Sequence, residues 1–160
     1  LLIMKILCVI FLCMVQHYNS FAQYTARESA LGIRAGGATG ITYKKFFNSN
    51  FAFEVIAAKD FPEDNDGIFI SGLFEKHAAL AGKRFSALIG GGPSYHFERN
   101  SFGLAAIIGF DWRILNSPLN LQVDWSPGYY FAGEKGFTTV NAAFSVRYIL
   151  NRKQVYSDDY

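Results

Sequence analysis

Glu75 and His77 stand two residues apart, a spacing that places both side chains on one face of a β-strand. A carboxylate beside an imidazole can orient it, as a general base requires. The plainer reading is a hydrogen-bonded pair that fills an interior. His96 falls on a different strand-like segment. With strand directions alternating, the two histidines lie toward opposite ends, which argues against a two-histidine metal site. Gly90-Gly91-Gly92 is followed by no Lys-Ser/Thr and opens no helix, so it does not read as a phosphate loop. Asp60, Glu63, Asp64 and Asp66 make an acidic loop without the spacing of a calcium-binding EF-hand. We expect no catalytic residue, no cofactor and no metal.

The remaining ionisable residues form a balanced set. Arg34, Lys44, Arg113 and Arg147 face Glu54, Glu75, Asp111 and Asp124, four cations against four anions. Each lies on the polar side of its segment, among small residues such as Gly32, Gly103, Ala105 and Gly109. A water-facing side would carry long Lys, Glu and Gln throughout. Small residues with sparse charges suit a narrow lumen, where buried charges must be paired. With His77, this set is the expected lumen network, structural in role. Arg113, Asp124 and Arg147 lie on consecutive segments, which predicts a network shared among them.

The elements that carry these residues announce themselves by strict alternation. Across residues 119–127, Leu119, Leu121, Val123 and Trp125 oppose Asn120, Gln122, Asp124 and Ser126. The last segment sets Ala142, Phe144, Val146 and Tyr148 against Thr139, Asn141, Ala143, Ser145 and Arg147. Eight strands are expected, near 30–37, 40–47, 50–59, 67–77, 84–96, 101–113, 118–131 and 136–150, with turn residues between them. An even count, short connections and lengths near ten residues predict an all-β fold, an eight-stranded antiparallel up-and-down transmembrane β-barrel. Closure matters, because an open sheet edge in lipid leaves backbone groups unpaired. Phe46, Phe47, Tyr95, Phe97, Trp112, Tyr148 and residues 129–131 cluster toward strand ends, as interfacial rings do. Lys45 and Lys76 fall on the apolar side, close to turns from which they can snorkel.

The N-terminus reads as an export signal. Lys5 precedes an apolar run over residues 6–15, too short to span a bilayer, and Ser20-Phe21-Ala22 supplies small residues for cleavage. The expected organisation is a removed signal peptide over residues 1–22, a short segment 23–29, a barrel over 30–150 and a polar tail over 151–160. Cys8 and Cys13 both leave with the signal, so the mature chain has no thiol chemistry. Charge is nearly balanced, 15 basic against 13 acidic residues with no basic block, which excludes nucleic acid as a partner.

Four stretches carry a family likeness: Gly32-Ile33-Arg34 through Thr42-Tyr43-Lys44-Lys45-Phe46, then Gly72-Leu73-Phe74-Glu75-Lys76-His77, residues 118–127, and Phe144-Ser145-Val146-Arg147-Tyr148-Ile149-Leu150. Together they resemble the small outer-membrane β-barrel proteins of the Bacteroidota. The resemblance implies insertion in the outer membrane, with outer-membrane lipids and the barrel-insertion machinery as partners. The last strand resembles the aromatic-ending signal that this machinery reads, although residues 151–160 follow it here. The resemblance implies no defined chemistry. Two other readings are open. A lipid-modifying barrel enzyme would use His77 with Glu75, or His96; neither His77-Ala78-Ala79 nor His96-Phe97-Glu98 has the His-x-Ser order of barrels that remove lipid A acyl chains. A soluble, lipocalin-like binding barrel would instead need Arg34, Asp124 and Arg147 to face solvent.

Overall fold

The structure is a computed structural model that describes residues 28–48, 50–60, 67–81, 84–114, 116–139 and 141–151. The expected signal peptide, most of the acidic loop and all of the tail beyond Asn151 lie outside these residues. Ten strand segments follow in chain order: β1 (Ser29–Gly36), β2 (Ala38–Phe46), β3 (Phe51–Asp60), β4 (Gly67–Ala81), β5 (Phe85–His96), β6 (Ser101–Arg113), β7 (Leu119–Trp125), β8 (Gly128–Ala132), β9 (Gly136–Thr138) and β10 (Ala142–Ile149). β7 with β8, and β9 with β10, are each one strand with an interruption. The result is eight antiparallel strands. β1 pairs with β10, and the β5–β6 pairing completes the ring, so the sheet is a closed barrel.

Each interruption has a local cause. Pro127 lacks the N–H that a ladder needs, so pairing breaks between Trp125 and Gly128. The Ala106 N–H still donates to the Pro127 carbonyl at 2.8 Å. Between β9 and β10 the alternation slips, since Thr138 and Asn141 are both buried. Thr139, expected on the polar inner face, is therefore exposed, as an inserted bulge residue requires. The Trp125 indole donates to its carbonyl at 2.6 Å and pins the bulge. The first turn is tighter than expected, with Gly37 alone between β1 and β2, and β4 continues through Ala79 to Ala81. Asn100 and Asn116, in turns, take the left-handed conformation that asparagine tolerates (φ 47° and 65°).

Barrel width follows from the hydrogen-bond register. From Asp60 the perpendicular path runs to Ala38, across the Gly37 turn to Gly36, then to Ala143, Asp124, Gly109, Leu88 and His77. The His77 N–H donates to the Asn50 carbonyl, which returns the path to the β3 strand line ten residues from its start. Ten residues of rise against eight strand spacings give a tilt of about 41° and a radius of about 8 Å. Glycines on the inner face permit this tight coiling. A Cβ on Gly32 would lie 2.0 Å from the Val146 carbonyl oxygen and 2.5 Å from the Arg147 Cα, both backbone atoms. Gly32→Ala must therefore part β1 from β10. We expect a loss of roughly 1–3 kcal/mol, as for an overpacked core, read as a lower urea midpoint.

The two faces of the wall have opposite character. Outward stand Ile33, Phe74, Ile89, Leu104, Phe110 and Val123, all at least half exposed. Inward lie Arg34, Lys44, Glu54, Asp111, Gln122 and Arg147, at most 1% exposed. This is the face assignment read from the sequence. Two aromatics depart from it: Phe46 (1% exposed) and Tyr130 (5%) point inward, not into an outer ring.

Candidate functional site: a charged cluster sealed in the lumen

The lumen is layered, and the layering follows from single steps along the strands. At the end where the described chain enters and leaves (the near end), Ala30, Phe46, Ala52 and Ile149 form one buried apolar cluster. One inward step toward the middle turns Phe46 into Lys44, Ala52 into Glu54 and Ile149 into Arg147. A further step on β3 gives Ile56, part of a second apolar cluster with Ala38, Ala58, Phe69, Leu73, Leu88, Ala105 and Ile107. The charges thus occupy a middle layer between two apolar stoppers.

Within that layer the pairing is dense. Lys44 Nζ lies 3.0 Å from a Glu54 oxygen and 2.6 Å from a Glu75 oxygen, with Asp111 at 3.9 Å. Glu54 also pairs with Arg147 and accepts from the Thr42 hydroxyl. Arg34 pairs with Asp124 and donates to the Asn141 carbonyl at 3.1 Å. Gln122 connects the groups. It accepts from Lys44 and, at 2.9 Å, from Arg147, and it donates to Asp124 at 2.8 Å. Asn120 accepts from Arg147 at 3.3 Å and donates to Asp111 at 2.7 Å. These pairings make burial of charge tolerable, with Arg34 Nε and Glu75 Oε1 of this layer left outside them.

All nine expected residues, Arg34, Lys44, Glu54, Glu75, His77, Asp111, Arg113, Asp124 and Arg147, are buried in the lumen. The expected grouping of Arg113 with Asp124 and Arg147 is replaced by another. Arg113 sits at the near end and pairs with Glu28 at 3.0 Å, because its inward position lies beyond Asp111, below the charged layer. Glu28, just ahead of β1, went unnoticed in the sequence because it precedes the first alternating segment. Gln122 and Asn120 were legible as inward residues, but charge counting passes over amides. Glu28 adds a carboxylate to the expected four and serves Arg113, while Glu75, besides meeting Lys44, forms a hydrogen bond with His77.

That hydrogen bond is 3.0 Å long, from His77 Nε2 to Glu75 Oε2. The opposite ring nitrogen, Nδ1, lies 3.4 Å from the Ser86 hydroxyl. Serine, histidine and carboxylate therefore stand in line, an arrangement no local motif disclosed, since Ser86 is on the neighbouring strand. All three are at most 2% exposed, and the Phe46 ring lies edge-on to His77 with centroids 5.1 Å apart. His96 is at the far end, 3.9 Å from Asp60 and from Glu98. Among the described residues, no group of three or more His, Asp or Glu is arranged to hold a metal ion. The soluble binding barrel, which needed Arg34, Asp124 and Arg147 outside, does not fit their burial.

Neither the protein-family models nor the curated proteins contain a match to this chain.

Proposed function

We propose that the chain is a small integral outer-membrane β-barrel protein whose charge-plugged lumen serves stability, with a structural or interaction role and no catalysis. One observation carries this reading: the polarity of the molecule is inverted. Twenty-five large apolar side chains are exposed among the described residues, and they belt the wall. Soluble monomers rarely expose contiguous apolar patches beyond a few hundred Å². In a bilayer the same belt is buried in hydrocarbon, and closure leaves no strand edge to lipid.

The exposed rings at both ends support the same reading. Phe47, Phe51, Trp112 and Tyr148 circle the near end, and Phe97, Phe102, Tyr129, Phe131 and Phe137 the far end. Lys45 and Lys76 stand exposed at the near end and Lys59 toward the far end, where ammonium groups reach headgroups. The near end then faces the periplasm. An export signal over residues 1–22 and the barrel-insertion machinery would deliver the chain, and outer-membrane lipids are its solvent.

The test is gel migration of folded against boiled protein, together with fractionation of cells. We expect a heat-dependent shift and recovery wholly with membranes. A soluble periplasmic pool of folded barrel would sink the proposal. A second reading, a lipid-modifying enzyme, draws on the aligned Ser86, His77 and Glu75. It requires the Phe46 stopper to open, and His77→Ala would then change the lipid A profile by mass spectrometry.

A further inference from the structure

β4 and β5 pair along most of their length, but the ladder is interrupted between Ser71–Ser94 and Phe74–Gly91. The phase of bonding there is fixed by the Phe97 N–H, which donates to the Ile68 carbonyl at 2.8 Å. Bonding and non-bonding pairs alternate in an antiparallel ladder. Gly72 and Pro93 are consequently a bonding pair, and Pro93 has no N–H to give. The Gly72 carbonyl is left without a donor opposite it. The strands remain close, since a Cβ on Gly92 would lie 2.0 Å from that same oxygen.

A groove of about 270 Å³ lies at this interruption. Val55 and Ile70 line one flank, Pro93, Tyr95 and Phe102 the other, with Gly72 between them. Its polar neighbours are already engaged. The Ser71 and Ser94 hydroxyls are 2.8 Å apart, Ser94 is 3.2 Å from the Tyr130 hydroxyl, and the Tyr95 hydroxyl donates to Asn100. The groove therefore offers apolar walls and a single acceptor, and it is continuous with the outer apolar belt.

We propose that this groove binds one acyl chain of a membrane lipid that carries a hydroxyl near its head, the hydroxyl donating to the Gly72 carbonyl. The inference rests on the membrane reading above. A peptide would bring several backbone donors and acceptors where the groove can satisfy one. An unsubstituted chain would fill the volume but leave the carbonyl unpaired in hydrocarbon, where an unmet backbone group is most costly. The groove lies toward the far end, close to the turn at residues 97–100, so its lipid comes from the outer leaflet.

The experiment is native mass spectrometry of the folded barrel in detergent micelles containing equimolar 3-hydroxytetradecanoic and tetradecanoic acids. We expect one hydroxy acid retained per barrel, favoured about tenfold over the plain acid, the scale of one well-made hydrogen bond. Gly72→Leu fills the groove and abolishes retention. Pro93→Ala returns an N–H to the Gly72 carbonyl and levels the two acids. Equal retention of both acids by the unsubstituted protein, or undiminished retention by folded Gly72→Leu, overturns the proposal. The heat-dependent gel shift is read on the same samples. A normal shift without the preference removes the groove proposal alone, whereas absence of the shift removes the membrane reading and the groove with it.

Discussion

Replacing Glu54 with glutamine is expected to cost the barrel about 3–5 kcal/mol, because it withdraws the anion shared by Lys44 and Arg147 inside a closed lumen. Burial sets the size of the effect. All three side chains have no solvent exposure, so Arg147 is left to the neutral Thr42, Asn120 and Gln122 with no water to turn to, while Lys44 keeps Glu75. The Thr42 hydroxyl can still bond the amide, so the loss reports charge rather than shape. Urea unfolding from lipid vesicles, followed by the fluorescence of Trp112 and Trp125, measures it. Adding Arg147→Met should recover part of the loss, giving a double variant less damaged than the two single costs sum to. A Glu54→Gln barrel as stable as the parent would mean that the cluster is not dry.

The second large effect lies on the opposite face of the wall. Val123 is 55% exposed and stands between Phe110 on β6 and Phe144 on β10. Val123→Arg is expected to cost about 2–4 kcal/mol in lipid vesicles, the price of a cation near the bilayer midplane. On a soluble protein the same exposed substitution would change stability by about 0.5 kcal/mol or less. The measurement is the shift in urea midpoint between Val123→Arg and its parent, both refolded into vesicles. A shift near zero contradicts the lipid-facing assignment, whatever the outcome for Glu54.

How much of this was legible in the sequence depends on the range of the information. Alternation is local, and it assigned Arg34, Glu54 and Asp124 to the inner face correctly, as it did Phe110 and Val123 to the outer one. What lies across the lumen is not local. Arg34 meets Asp124 from ninety residues away, and no spacing rule chooses that partner over Glu54 or Asp111. Thr139 failed for a related reason, since one extra residue reverses every side chain beyond it. Phe46 and Tyr130 failed because an aromatic near a strand end suits an interfacial ring or a stopper equally well. The bare count of adjacent steps decides between them, and register, not composition, carries that count. Ser86 came to His77 by the same route, through strand pairing that juxtaposes residues no motif connects.

The ten-residue stagger around the ring has a consequence for how this sequence can change. Girth here is an integer quantity, set by how many hydrogen-bond steps are skipped per circuit, and no side chain can adjust it by a fraction. Room in the middle is therefore conserved. Any gain in bulk on one ribbon must be surrendered by another at the same height, which is why Arg147 sits across from Gly32 and Asp124 beside Gly109. Drift in such a molecule should proceed by exchanges between neighbouring ribbons rather than by independent steps.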